Sequence, residues 1–227
     1  MSPAAAIEDL ADVRDAYVDA VLAPDARGAR ALIDDVCDAG VPAQRIYLEV
    51  LQPALHEVGR LWEQARIAVA GEHLATQITA AVLARIAGRL TPGAGGSGRR
   101  AIVSCSPGEL HVLGGQMVAD FLEADGWDVL LLGADTPADE LARLAAAEGV
   151  DLVALSTALP VHLLAAGTAC AALRRLADPP FIVAGGQAFA GDPRRALAVG
   201  ADAYAGDPGT LLRLVAGRFG ADAARTL

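Results

Sequence analysis

The chain has 227 residues, 54% of them hydrophobic, and a formal net charge of -10 at pH 7. This length is enough for one large domain or two small ones with substantial cores. The acidic balance argues against direct nucleic-acid binding, because a phosphate backbone needs a concentrated basic face.

The first part of the chain has the spacing of amphipathic helices. Apolar residues recur at every third or fourth position from residue 7 to residue 21, which predicts a first helix. Pro24-Asp25 is a break and a helix start, and the second helix that follows is closed by Gly40 as a C-terminal cap.

Two further helices complete this half. Pro42 occupies a first-turn position and opens a third helix, whose internal Pro53 predicts a kink. A fourth helix is predicted over about 67–90. Four antiparallel helices with short connections indicate a four-helix bundle over residues 1–91.

The pattern changes after the glycine-rich segment TPGAGGSG, residues 91–98, which has the composition of a flexible linker. Five short apolar runs follow: AIVSCS, DVLLLG, DLVALS, FIVAGG and ADAYAG. Helical segments are predicted between or after them at 112–125, 137–148, 161–177 and 208–216. Residues 98–227 are therefore expected to form a doubly wound, Rossmann-like α/β domain with a parallel sheet, whose ligands bind beyond the carboxyl ends of the strands.

A carboxylate and an imidazole follow the first strand of this domain. Glu109 precedes His111 by two residues, so in an extended loop both side chains project to the same side. A carboxylate that accepts the proton of one ring nitrogen makes the other nitrogen a stronger metal donor. The alternative from the residues alone is an inert, hydrogen-bonded histidine near a helix start.

Small residues stand at other strand ends. Gly114 opens the following helix, and Gly185 and Gly186 follow the fourth strand, where glycine permits a positive φ or close approach of a ligand. Ser156 ends the third strand and is either a ligand contact or a helix N-cap. No GxGxxG follows the first strand, so a dinucleotide site is not indicated.

The spacing of these residues is more specific than any one of them. Residues 109–114 read ExHxxG, 41 residues separate Gly114 from Ser156, and 26 separate Ala158 from the glycine pair. This resembles the DxHxxG…SxL or SxT…GG pattern of the cobalamin-binding domain family. The resemblance implies that His111 is the lower axial ligand of cobalt, supported by Glu109. It also implies that Ser156, Gly185 and Gly186 line the channel for the cofactor's nucleotide tail.

The helical half carries a second pattern. Nine residues separate Trp62 from Glu72-His73, giving W-x9-EH. A tryptophan between helices is usually core and a Glu-His pair on a helix is usually surface. With the cobalamin pattern present, however, W-x9-EH resembles the CarH-type adenosylcobalamin photoreceptors. That resemblance implies that the bundle caps the upper face of the corrin. Trp62 and Glu72 would then enclose the adenosyl group, and His73 would support the same pocket.

Three departures from the family pattern are visible. Glu109 replaces the usual Asp, as it does in the light-sensing branch, and Ala158 replaces Leu or Thr. Glu63 follows Trp62 where some photoreceptors carry a histidine, which leaves His73 or His56 as substitute upper ligands after illumination.

No MerR-type DNA-binding domain is expected, so output is expected to pass through a separate transcription regulator or other protein, or through homo-oligomer formation.

The sequence thus predicts a non-enzymatic light sensor in which photolysis of a cobalt–carbon bond shifts bundle packing or oligomeric state. Two alternatives stay open. One is a methylcobalamin carrier in a methyltransferase system, which is the enzymatic alternative, and the other is a cobalamin sensor or store without a light response. A radical mutase subunit would need a large substrate barrel, and this chain is too short for one.

The expected compartment is the cytoplasm. The cysteines, Cys37, Cys105 and Cys170, are far apart and odd in number, which argues against a disulfide framework. The N-terminus lacks a basic region followed by an apolar core, and no charge-free apolar stretch is long enough for a membrane span.

Overall fold

The computed structural model describes residues 9–91 and 98–220. The chain divides into two compact units, Met1–Thr91 and Pro92–Leu227. Most of the predicted linker, residues 92–97, lies outside the described residues, as does the part of the first predicted helix before residue 9.

The first unit is helical. Its α-helices are α1 (Ala11–Leu22), α2 (Ala26–Asp38), α3 (Ala43–Arg45), α4 (Gln52–Glu63) and α5 (Val69–Ile86). The predicted helix signals at the ends of α2 are confirmed. The Asp25 side chain accepts a hydrogen bond from the Gly28 N–H at 2.8 Å, and Gly40 takes a φ of +87° just after the helix.

The third predicted helix is continuous but irregular. Helices α3 and α4 are joined by a π-helical segment, Ile46–Leu51, that ends just before Pro53. Proline has no N–H to donate to the Glu49 carbonyl, and its ring obstructs that carbonyl, so the α-helical hydrogen bond between these two positions cannot form. The kink at Pro53 stays a prediction, and what the structure shows is a wider, π-helical turn in the residues before it.

Helices α1, α2, α4 and α5 pack together around an apolar core. Tyr17, Ile33, Leu51 and Leu83 are almost completely buried there. The Tyr17 hydroxyl donates to Thr79 Oγ1 at 3.1 Å, and burial raises the pKa of Tyr17 to about 12. A buried polar group is thus satisfied inside the core, and the predicted helical bundle is confirmed.

The second unit is an α/β domain with a five-stranded sheet among the described residues. The strands are β1 (Arg100–Cys105), β2 (Asp128–Gly133), β3 (Leu152–Ser156), β4 (Phe181–Gly185) and β5 (Ala203–Ala205). All neighbours pair in parallel, in the order β2-β1-β3-β4-β5. The predicted Rossmann-like parallel sheet is therefore confirmed.

Helices cover both faces of this sheet. They are α6 (Leu113–Ala124), α7 (Ala138–Glu148), α8 (Leu163–Arg174), α9 (Pro193–Ala198) and α10 (Pro208–Phe219). One apolar cluster holds residues of α6 and α10, and a separate one holds residues of α7, α8 and α9. The sequence did not predict α9, a six-residue helix that begins with the Asp192 side chain accepting the Arg194 N–H.

The order of the strands fixes where a ligand can bind. The chain passes from β1 outward to β2 and then returns to β3 on the other side of β1, so the order reverses between β1 and β3. Cys105 and Ser156 are register partners at the ends of these two strands. In open parallel sheets this reversal opens a crevice beyond the carboxyl ends of the strands, and Glu109 and His111 follow β1 at that edge.

Candidate cofactor site

The centre of the candidate site is the carboxylate of Glu109, which is completely buried. Its Oε1 accepts the His111 backbone N–H at 3.0 Å and lies 2.5 Å from His111 Nδ1. Its Oε2 accepts the backbone N–H groups of Ala158 and Leu159, each at 2.9 Å. One carboxylate therefore joins the loop after β1 to the loop after β3.

These hydrogen bonds set the ionisation of Glu109. Burial alone would raise its pKa, but the His111 ring and the backbone N–H groups of His111 and Leu159 outweigh it and lower the pKa to about 2. The carboxylate is thus ionised at neutral pH and acts only as an acceptor.

His111 presents its ring at the surface of this loop. Its side chain is 41% exposed, although its partner Glu109 is completely buried. A ring whose Nδ1–H donates to a carboxylate carries the lone pair on Nε2, and the carboxylate makes that nitrogen a better metal donor. The Cys105 thiol also donates weakly to the His111 carbonyl, at 3.6 Å. The arrangement can therefore offer one imidazole nitrogen to a metal in a fixed orientation.

Ser106 and Thr157 connect the same two loops, although neither was predicted from the sequence to belong to the site. Each is completely buried, and their hydroxyl oxygens lie 2.7 Å apart. The Ser106 N–H also donates to the Ser156 carbonyl at 3.0 Å. The signal for them was available, since Ser106 is the last residue of the predicted run AIVSCS and Thr157 directly follows the predicted run DLVALS. Both runs were expected to end at the same edge of a parallel sheet.

Gly114 lies in the first turn of α6, as predicted, close to the end of β3. A Cβ on Gly114 would lie 3.5 Å from Ser156 Oγ, so the absence of a side chain leaves this hydroxyl uncovered on that side. Ser156 is the last residue of β3 and does not cap a helix, because the following helical segments begin at Pro160 and Leu163. The alternative of a helix N-cap is therefore wrong for Ser156.

Gly185 and Gly186 are required by the packing of the chain itself. A Cβ on Gly185 would overlap the carbonyl oxygen of Ala205, and one on Gly186 would overlap that of Thr157. Gly186 also has a φ of +109°, which L side chains rarely adopt. The glycine pair thus holds the end of β4 against its neighbours, and its role as a channel lining stays a prediction.

Large aliphatic side chains are exposed in the segments that follow β1 and β3. Leu110, Val161 and Leu164 expose 69%, 75% and 84% of their surfaces. They flank His111 in the loop after β1 and His162 at the start of α8. Large exposed aliphatic side chains around a polar group are typical of a ligand-binding or interaction surface.

In the helical unit, Trp62 lies half-buried in the last turn of α4, and Glu72 lies in the first turn of α5. Glu72 is buried, accepts from the Thr76 hydroxyl at 2.8 Å and lies 2.6 Å from His73 Nδ1. The expectation of an ordinary surface Glu-His pair is therefore wrong for Glu72 and correct for His73, whose side chain is 72% exposed. Val69 and Leu74, beside this pair, are exposed apolar residues.

Two features are absent from the described parts of the chain. Within residues 9–91 and 98–220, no group of three or more His, Cys, Asp and Glu side chains is assembled that would hold a metal ion. No helix in those same ranges is long and apolar enough to cross a membrane.

Comparison with known proteins gives matches over both units. The model of a family described as B12 binding domain matches residues 99–214, and a second model with that description matches residues 13–87. Residues 99–214 are half of the chain and contain both Glu109 and His111.

Two curated relatives come from Myxococcus xanthus. The HTH-type transcriptional repressor CarH is 38% identical over 128 residues, which are 55% of this chain and 42% of that protein. The HTH-type transcriptional repressor CarA is 37% identical over 106 residues, which are 47% of this chain and 34% of that protein. The matches thus span less than half the length of each repressor.

A solved structure has the same fold. The monomethylamine corrinoid protein of Methanosarcina barkeri superimposes with a TM-score of 0.79 at 22% identity, over 91% of this chain and 98% of that one. At this identity the likeness concerns the fold alone.

Proposed function

Since this chain belongs to the B12-binding domain family, we propose that it is an adenosylcobalamin-dependent light sensor in which His111 binds cobalt. The observation that carries the proposal is the Glu109–His111 pair at the switch point of the sheet. Cobalamin binding follows from the family, whereas the adenosyl form and the light response are the proposed part.

The donor chemistry of the site fits a corrin cofactor. A corrin would bring its own ring nitrogens to the cobalt, so the protein would need to add a single donor rather than a cage of ligands. His111 offers one such nitrogen, with its ring held by Glu109. The exposed apolar side chains of Leu110 after β1, and of Val161 and Leu164 after β3, suit a large, mostly apolar macrocycle.

The helical unit supplies the proposed selectivity for the adenosyl group. In this proposal Trp62 packs on the adenosyl group, and Glu72 accepts hydrogen bonds from its ribose hydroxyls. Glu72 is already oriented by Thr76 and His73. Adenosylcobalamin, when bound, supplies a cobalt–carbon bond that light breaks.

The proposed output is regulation of transcription through a separate partner protein. The relatives CarH and CarA are named as HTH-type transcriptional repressors, which supports a role in the same kind of process. A ligand shifts a conformational equilibrium only by its differential contacts with the two states. Loss of the group that contacts Trp62 removes such contacts, and we expect bundle packing or self-association to change.

The test is illumination of the full-length protein loaded with adenosylcobalamin in the dark. The visible spectrum and the size by gel filtration are recorded before and after green light, with methylcobalamin-loaded protein in parallel. We expect tighter binding of the adenosyl form and a light-dependent change of both readouts. A spectrum of the adenosyl complex that green light does not alter would overturn the light-sensor proposal.

A second candidate is a methylcobalamin carrier of a methyltransferase system. The chain covers 98% of the Methanosarcina barkeri corrinoid protein with the same fold, so the architecture suits both functions. The same experiment separates them, because a carrier is expected to prefer the methyl form and to keep its size under illumination.

A further inference from the structure

Asp135 lies in the loop after β2 and contacts the Glu109 loop at two points. Its carboxylate Oδ1 accepts the Gly108 N–H at 2.7 Å. Its own N–H donates to the Glu109 carbonyl at 3.1 Å. The two hydrogen bonds fix the Gly108–Glu109 backbone from the side opposite to the β3 loop, which holds the Glu109 carboxylate through Ala158 and Leu159.

The backbone before Asp135 is irregular in a way that carries it to this position. The pairing of β1 with β2 passes from Leu131 to Gly133, so Leu132 is an extra residue at the end of β2. Gly133 then takes a φ of +74°, and Asp135 itself a φ of +47°. Bulges of this kind redirect a strand next to a functional site, and a left-handed non-glycine residue is uncommon and costs free energy.

The segment that Asp135 holds is also unusual. Gly108 has a φ of +82°, and a Cβ there would lie 3.1 Å from Nδ1 of His162. Its conformation therefore suits glycine alone and is not fixed by side-chain packing of its own. The turn that contains it is closed by the Glu109 N–H, which donates to the Ser106 carbonyl at 2.9 Å. The carboxylate of Asp135 adds a hydrogen bond to the Gly108 N–H from outside this turn.

We propose that Asp135 is a positioning residue for the lower axial ligand, acting through the Gly108–Glu109 backbone to hold His111 in its cobalt-binding orientation. This inference rests on the proposed function, since it assumes that His111 binds cobalt. Three loops then converge on the ligand: the β1 loop carries it, the β3 loop holds the Glu109 carboxylate, and the β2 loop holds the backbone beside Glu109.

Three substitutions separate the two features of Asp135. Asp135→Asn keeps a side-chain oxygen acceptor, and asparagine tolerates the left-handed conformation. Asp135→Gly keeps the conformation and loses the acceptor, whereas Asp135→Ala loses both. Asp178→Ala, at an exposed position in the loop before β4, is the control for removal of a surface aspartate.

Three readouts are measured on the full chain. The first is hydrogen exchange of the Gly108 amide without cofactor. The second is the dissociation rate of adenosylcobalamin in the dark. The third is the fraction of Co(II) protein that shows histidine coordination by electron paramagnetic resonance. For one hydrogen bond, we expect Asp135→Gly to speed exchange and dissociation by about fivefold. Asp135→Asn and the Asp178 control are expected to stay within about twofold of the wild type.

Each outcome decides the inference. Asp135→Gly with a wild-type dissociation rate overturns it, even if Gly108 exchange is faster, because the aspartate would then order the loop without affecting the ligand. If Asp135→Asn speeds exchange and dissociation as much as Asp135→Ala does, the role of the Asp135 side chain as a hydrogen-bond acceptor is overturned. If the wild type itself shows no histidine coordination, the proposed function fails instead, and the two failures are thereby distinguished.

Discussion

The buried Glu109 carboxylate lies 2.5 Å from the His111 ring and also accepts two backbone N–H groups from the β3 loop. The carboxylate accepts all four of these hydrogen bonds, two from His111 and two from the β3 loop. The ring orientation of His111 is therefore coupled to the position of a loop some 50 residues away in sequence. This coupling allows several tests.

The first prediction concerns the charge of Glu109. In Glu109→Gln the side-chain amide has one acceptor oxygen and one NH₂ group, which is a donor. The NH₂ group must therefore face other donors, either the N–H groups of the β3 loop or those of His111. We expect a loss of about 2–3 kcal/mol in the free energy of unfolding, measured by urea denaturation, and weaker cobalamin binding. Glu140→Gln, at an exposed position on α7, is the control and is expected to change stability by less than about 0.5 kcal/mol. Equal stability of the two variants would contradict this account of Glu109.

The second prediction is a pH dependence of stability. The pKa of Glu109 falls from 4.5 to about 2 on folding, so the unfolded chain binds the proton more tightly and stability is lost as the pH falls. The contribution is about 3 kcal/mol above pH 5 and disappears between pH 5 and about 2. Urea denaturation of the wild type and Glu109→Gln over this range measures it. Their stabilities are expected to converge toward pH 2, and a constant difference would contradict the assignment.

The third prediction separates a required glycine from a tolerant one. Alanine at Gly186 would carry a φ of +109° and overlap the Thr157 carbonyl. We expect Gly186→Ala to destabilise the chain by at least about 2 kcal/mol. A Cβ on Gly217, in the exposed part of α10, would lie within 4 Å of nothing in the described chain outside its own helix, so Gly217→Ala is expected to stabilise by about 0.5–1 kcal/mol. Thermal unfolding of both variants distinguishes them. If Gly186→Ala does not change the stability, the β3 loop can move away from the added Cβ at little cost in free energy.

The fourth prediction concerns the selectivity of the helical unit. Glu72→Gln removes the charge of a buried carboxylate that Thr76 and His73 orient. If it binds ribose hydroxyls, affinity for adenosylcobalamin falls by about tenfold, as expected for a hydrogen bond to a charged group, while affinity for methylcobalamin changes little. Titration with each cofactor measures this. Glu57→Gln, on the exposed side of α4, is the control, and an equal loss for both cofactors would contradict a role at the adenosyl group.

The sequence predicted the elements well where their signals are local. The caps Asp25 and Gly40, the apolar runs of the strands and the ExHxxG segment each carry their own physical signal, and each lies where it was expected. Helix α9 was missed because its apolar pattern covers only six residues. The π-helical segment before Pro53 was also missed, since a proline inside a helix predicts a kink but not the wider turn that precedes it.

The contacts that orient the site depend on the fold, and most of them could not be predicted from the sequence. The spacing of Glu109 and His111 predicted their hydrogen bond, but the backbone donors of Ala158 and Leu159 become visible only when β1 and β3 are neighbours. The same holds for Asp135, whose role depends on an extra residue at the end of β2 and a left-handed backbone. Gly185 and Gly186, at the end of β4, were identified, but the reason for their packing required the positions of Ala205 and Thr157.

The most direct test of the account is electron paramagnetic resonance of the Co(II) form of the loaded protein, with and without ¹⁵N-labelled histidine. Coordination by His111 predicts that the nitrogen splitting changes from a triplet to a doublet on labelling, and that this change is lost in His111→Ala. A triplet that labelling leaves unaltered would place the cofactor's own base, rather than His111, on the cobalt and would contradict the central claim.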